Sequence, residues 1–190
     1  MLIDGYYLDG YRGVPLYLNK LVSELTFRDR PILCIKKSLS LSEVVAKKYR
    51  VIRLPNMNYI LWEQLMIPMI AIIMNVKKVW SPANTISIAL LFFKKEIIIT
   101  VHDLIFFEKY SVKTHFYQKV GVYYRRFVWS FYKKFKQVKI ISVSQTTKKE
   151  LQSRFGLNST VIYHGVEIKT SVKTLIEDIE PLPEKFCLHL

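Results

Sequence analysis

A histidine and an aspartate stand where an apolar run ends, in EIIITVHDLIFFE at residues 96–108. Imidazole titrates near neutrality, so His102 at the mouth of a crevice could hydrogen-bond a sugar hydroxyl or a phosphate. Adjacent residues in an extended chain point to opposite sides, which argues against a His102–Asp103 couple and leaves Asp103 to a loop or substrate contact. The competing reading is a histidine that only satisfies loop carbonyls.

Three other stretches carry residues suited to binding. GYYLDGYRGV at 5–14 holds Gly10, Arg12 and Gly13; glycines there permit tight turns and close approach of a ligand to backbone N–H groups at a helix start. It lacks the spacing of a dinucleotide fingerprint. SVSQTTKKEL at 142–151 places Ser144 and Thr147 at a helix N-terminus, either as an anion site or as ordinary caps. VIYHGV at 161–166 brings His164 and Gly165 just past an apolar run, where a plain turn is the simpler account. The sequence has no paired-carboxylate motif, metal-ligand cluster, phosphate-cradling Walker loop or Gly-x-Ser-x-Gly elbow, so neither a metal nor a cofactor is expected.

These residues need elements to position them. Short apolar runs rich in Val and Ile at 1–4, 32–36, 51–54, 79–80, 97–101, 140–143 and 160–163 read as strands buried on both faces. Helix-length segments separate several of them: Val14, Leu18, Leu21, Val22 and Leu25 recur at helical spacing, Ser144 can cap another helix, and Gly156 can end it. The alternation predicts an α/β fold with a Rossmann-like, doubly wound, mostly parallel sheet. Ligands bind such sheets at the carboxyl ends of the strands, which directs attention to the loops starting at Gly5, Ser81, His102, Ser144 and His164.

With 190 residues, 51% of them hydrophobic, the chain suits one domain. Residues 1–166 are expected to form it, with 167–190 a linker or crossover and the first strand of a further domain. Twenty-nine Lys and Arg against fifteen Asp and Glu give a net charge of +14, which favours an anionic partner. Cys34 and Cys187 lack metal-ligand spacing and suit a reducing cytoplasm. The greasy stretch LMIPMIAIIMNV at 65–76 is too short to span a bilayer and contains Pro68.

Basic and aromatic residues interleave through FYQKVGVYYRRFVWSFYKKFK at 116–136. Phe116, Val120, Tyr123, Phe127, Phe131 and Phe135 form an apolar stripe expected to face the core. Arg126, Trp129, Lys133 and Lys136 occupy another face, the mix expected of a helix against anionic headgroups; a merely solvated face is the alternative.

Taken in order, GYRGVPLYLNKLVSEL, YILWEQLMIP, WSPANTISIALLFFKKEIIITVHDL, IISVSQTTKKEL and VIYHGVE resemble the N-terminal half of a GT-B glycosyltransferase of the retaining family 4, also called group 1. The resemblance implies two Rossmann-like domains, the first holding a glycan or lipid-linked acceptor and the second a sugar nucleotide. His102 matches the family histidine that reaches the transferred sugar, and Gly13 matches the loop near the donor phosphates and acceptor. No metal is usually required. Relatives continue past a strand like KFCLHL into a glycine turn, an Arg and Lys that grip the diphosphate, and a Glu-x7-Glu element. The expectation is therefore a chain that stops before its donor domain: a truncated non-catalytic fragment, or a subunit paired with a separately encoded donor domain. Hexosyl or mannosyl transfer in surface-polysaccharide or lipid-linked glycan synthesis, in the cytoplasm and peripherally on the inner face of a bacterial membrane, is the corresponding functional expectation. A basic nucleic-acid-binding module is the rival from another class, although no nucleic-acid signature accompanies the charge.

Overall fold

A computed structural model describes residues 1–10, 13–93, 95–108, 116–132 and 138–165. The strands are β1 Leu2–Asp4, β2 Ile32–Lys36, β3 Arg50–Leu54, β4 Lys78–Ser81, β5 Glu96–Val101, β6 Val138–Ser142 and β7 Thr160–Val161. They form one seven-stranded sheet in the order β3-β2-β1-β4-β5-β6-β7. Every pairing is parallel. The expected Rossmann-like α/β architecture is therefore the one observed.

Helices α1 Val14–Glu24, α2 Glu43–Lys48, α3 Tyr59–Leu61, α4 Ile67–Ile73, α5 Ile88–Leu91, α6 Phe116–Tyr132 and α7 Gln145–Phe155 supply the crossovers. Successive strand residues point to opposite faces, so neighbours enter separate cores. Ile3, Leu33 and Ile35 pack with Leu18 and Val22 of α1 on one face. Leu2, Val79, Ile97 and Ile99 pack with Trp62, Ile67, Trp129 and Tyr132 on the other. Both faces are covered, which is why the strands read as continuous apolar runs rather than as alternations.

Between α3 and α4 the helix widens into a π-turn at Trp62–Met66, and the Ile67 N–H bonds back to the Trp62 carbonyl. Pro68 accounts for the widening. Its ring has no N–H to give the Gln64 carbonyl and would collide with it in an α register. An added residue per turn relieves both problems and lets the consecutive side chains Trp62 and Glu63 face inward together, each fully buried.

The expected caps of α7 are present. Ser144 Oγ accepts the Thr147 N–H at 3.0 Å, and Gly156 ends the helix at φ 66°.

The faces of α6 are the reverse of the sequence reading. Trp129, expected at a membrane, is fully buried among core residues, whereas most of the stripe expected in the core lies in water: Phe116 is 73% exposed, Tyr123 61% and Phe127 59%, and of the described members only Phe131 packs half-buried against the core. The helix is apolar on two sides. Val122, Val128, Trp129 and Tyr132 were available to pack on the sheet, and periodicity cannot tell which of two apolar stripes turns inward. Arg126 is half-buried, with its guanidinium bonded to the carbonyls of Phe106 at 2.6 Å and Glu108 at 3.2 Å. Lys133, Phe135, Lys136, Arg12 and the segment 166–190 lie outside the described residues.

Candidate active site

In this sheet the order in which successive strands are added switches sides between β1 and β4, the switch point at which open α/β sheets leave a crevice beyond the strand ends. A cleft of about 290 Å³ lies there. Tyr7, from the turn after β1, and Tyr59 of α3 give it aromatic walls; Val14 and Pro15 open α1 on another side; Asn84 and Thr85 follow β4; Arg125 reaches in from α6.

Gly10 and Gly13 precede α1, whose first residues line the cleft. A side chain at Gly10 would press within 2.6 Å of the Pro15 ring, and Gly13 sits at φ 58°, where L side chains are strained. Asn19 holds the turn by donating to the Leu8 and Gly10 carbonyls at 3.0 and 3.2 Å.

Asn84 links the cleft to the residue that the sequence singled out first. Its Oδ1 accepts the His102 N–H at 2.7 Å, and its carbonyl accepts the Trp129 indole N–H at 3.0 Å. His102 follows β5, and its Nε2 lies 2.8 Å from the Pro82 carbonyl. A carbonyl can only accept, so Nε2 carries the proton and Nδ1 is left as an acceptor. Partial burial lowers the imidazole pKa; the Pro82 carbonyl opposes that shift and His164 adds to it. The ring is neutral at pH 7, so toward a sugar hydroxyl Nδ1 accepts a hydrogen bond.

His164, beyond β7, comes close to His102, with ring centroids 5.2 Å apart. Tyr17 of α1 packs against both, stacked on His164 at 4.6 Å and edge-on to His102 at 4.9 Å. Two loops and a helix far apart in sequence thus meet in one aromatic group. Asp103 turns to its own loop and accepts the Ile105 N–H at 3.2 Å. Thr147 donates to the His102 carbonyl at 3.2 Å, and Ser144 caps Thr147, so this pair supports the backbone of His102. Gly165 is exposed beside His164.

Below the cleft lies a buried network that sequence reasoning missed. Glu63 accepts hydrogen bonds from Thr85 Oγ1 at 2.7 Å, from Gln64 Nε2 at 3.0 Å and from the Tyr59 and Tyr124 hydroxyls. Burial raises its pKa to about 7 against the opposing pull of those hydroxyl donors. At the end of β1, Asp4 is likewise pushed up to about 6 by burial, although the Tyr6 N–H and the Trp62 indole both donate to it. Among the described residues, no group of three or more His, Cys, Asp or Glu could hold a metal ion.

The family profile for Glycosyltransferase Family 4 matches residues 46–170, a span from α2 through the strands and loops that carry Glu63, Asn84, His102, Thr147 and His164. The chain belongs to Glycosyltransferase Family 4. No curated protein matches it. A domain of this family implies, in general, binding of a sugar nucleotide and a glycan acceptor.

Within this family 4 domain, Tyr7, Tyr17, Tyr59, Glu63, Asn84 and Arg125 were not singled out as site residues from sequence. Four of them, Tyr17, Tyr59, Glu63 and Asn84, sit inside the segments that carried the resemblance, and that was the available signal. The tyrosines read as ordinary apolar residues, and Arg125 as one of many cations.

Proposed function

We propose that this domain is the acceptor-side half of a retaining, sugar-nucleotide-dependent glycosyltransferase that transfers a hexose, mannose first, to a lipid-linked or surface-polysaccharide precursor at an anionic membrane surface facing the cytoplasm. One observation carries the reading: the cleft at the β1/β4 switch point shares Asn84 with the His102 loop, in a family 4 domain. Residues 1–166 hold the acceptor, and the sugar nucleotide is gripped mainly by a second Rossmann-like unit, as the family resemblance implies. His102 meets a sugar hydroxyl through Nδ1. Departing diphosphate is stabilised by aimed N–H groups and cations, the term that most lowers such barriers. The reading needs no metal or cofactor and no nucleic acid.

The membrane half rests on two exposed apolar stripes. Leu61, Leu65, Met69 and Ile72 lie on α3, the π-turn and α4, while Phe116, Val120, Tyr123 and Phe127 lie on α6. Gln64 Nε2 lies 2.6 Å from the Tyr124 hydroxyl and clamps the two helices together, so both stripes border one surface. Exposed apolar surface of this extent marks an interaction site, and the net charge of +14 favours anionic headgroups. No described helix is long and apolar enough to cross a membrane.

The test pairs two assays. The protein, alone and with a family 4 donor-side domain added, is incubated with radiolabelled sugar nucleotides and bacterial membranes, and label is sought in the lipid-extractable fraction. Flotation with phosphatidylglycerol and phosphatidylcholine vesicles runs alongside. Label transfer with capture by the anionic vesicles is expected; neither transfer nor capture, with tight salt-sensitive binding of single-stranded nucleic acid, would replace the reading by the nucleic-acid one.

A further inference from the structure

We propose that the cleft at the switch point binds an anionic group of the acceptor, a diphosphate or a sugar carboxylate, and that Arg125 is the residue that holds it. The inference rests on the acceptor-side reading above and narrows its substrate class.

The argument is an inventory of what the walls can still offer. Arg125 donates to the Gly121 carbonyl at 3.3 Å, and its charge lies near enough to Tyr7 to oppose the burial that raises that hydroxyl's pKa. A guanidinium has five N–H donors, so several remain. Among the described residues no carboxylate pairs with Arg125 in a salt bridge. Asn84 has committed its side-chain oxygen to the His102 N–H, so only its amide nitrogen is uncommitted, and that is a donor. Thr85 donates to Glu63, while the Tyr59 hydroxyl is held between Glu63 and Thr85. The nearby acceptor, Glu63, is fully buried behind those two residues and saturated with donors. What remains at the cleft is therefore donor-rich, half-buried and cationic, between the aromatic walls of Tyr7 and Tyr59. A neutral sugar would leave a half-desolvated guanidinium poorly matched, whereas a carboxylate or phosphate oxygen pair fits its fork.

Position agrees with chemistry. Arg125 shares α6 with Tyr123 and Phe127 of the exposed stripe but, two residues from each, projects from the other side of the helix, so one helix would offer a cation to the cleft and an apolar stripe away from it.

The test uses the whole chain, titrated by calorimetry with inorganic pyrophosphate, glucuronate, neutral glucose and the nucleotides UDP and GDP. Wild type, Arg125→Gln, Arg125→Lys and Lys119→Gln, an exposed cation on the same helix, are compared after circular dichroism confirms folding. Pyrophosphate binding weakened about tenfold or more in Arg125→Gln, less in Arg125→Lys and not in Lys119→Gln, is the expected result and assigns a diphosphate. The same pattern with glucuronate alone supports the proposal and assigns an acidic sugar. Absence of any anion binding, or equal binding by wild type and both Arg125 variants, overturns it. So does tight UDP or GDP binding that depends on Arg125, since that would place the donor here. Vesicle capture and label transfer are scored on the same wild-type protein: transfer without anion affinity removes this inference and leaves the acceptor-side reading, and Arg125-dependent anion affinity without transfer does the reverse.

Discussion

His102 Nε2 and the Pro82 carbonyl oxygen lie 2.8 Å apart, joining the loop after β5 to the loop after β4. That contact assigns the proton to Nε2, and partial burial keeps the ring neutral. Nitrogen-15 spectra at pH 7 should show a single Nε2–H tautomer with a pKa below the usual 6.5. His102→Ala is expected to lower transfer about tenfold or more, the scale of one lost polar contact in a transition state. Unchanged transfer would remove His102 from the chemistry.

Glu63 and its four donors make a prediction about pH. Its folded pKa, about 7, exceeds the ordinary 4.5, so between those values the folded state holds more protons than the unfolded chain. Stability from this group is then highest below about 4.5 and falls as pH rises toward 7, by on the order of 3 kcal/mol in all. Asp4, raised to about 6, acts in the same direction. His102, with its lowered pKa, acts oppositely and is stabilising above 6.5. Urea titrations of wild type and Glu63→Gln from pH 5 to 8 isolate the term: the variant should gain on wild type as pH rises. A constant difference across that range would mean that Glu63 is ionised throughout.

The two sides of α6 should respond differently to substitution. Phe127→Ser and Tyr123→Ser lie in water and should change stability by less than about 0.5 kcal/mol while weakening capture by anionic vesicles. Trp129→Ala, in the core, should cost roughly 3–5 kcal/mol. Thermal melts and flotation on the same preparations separate the two.

Gly13→Ala should destabilise the loop before α1 by roughly 1–3 kcal/mol, because φ 58° is strained for alanine even with open space around it. Chemical denaturation measures the loss. A neutral outcome would mean that the loop relaxes to another conformation.

The architecture was legible because both faces of the sheet are covered: strand after strand reads as a Val- and Ile-rich run, and each was found close to where the pattern put it. Ser144 and Gly156 announced the ends of α7 through cap chemistry, a local property. What stayed hidden depends on contacts distant in sequence. Nothing local tells that Tyr17 will pack against both His102 and His164, or that Glu63 will be satisfied by tyrosines from both α3 and α6. The reversal of α6 has the same origin, since a helix with two apolar stripes is assigned its inner face only by the surfaces it meets.

The π-turn at Trp62–Met66 makes the buried network a matter of phase. An α-helix advances about 100° per residue, so deleting one residue from this turn would restore regular winding and rotate everything before it by about that angle relative to α4. Tyr59 would swing away from Glu63 and Thr85, and the aromatic wall of the cleft would turn with it. The extra residue acts as an angular spacer: it couples the floor of the cleft to the helix that follows, and Pro68 keeps it from being wound out.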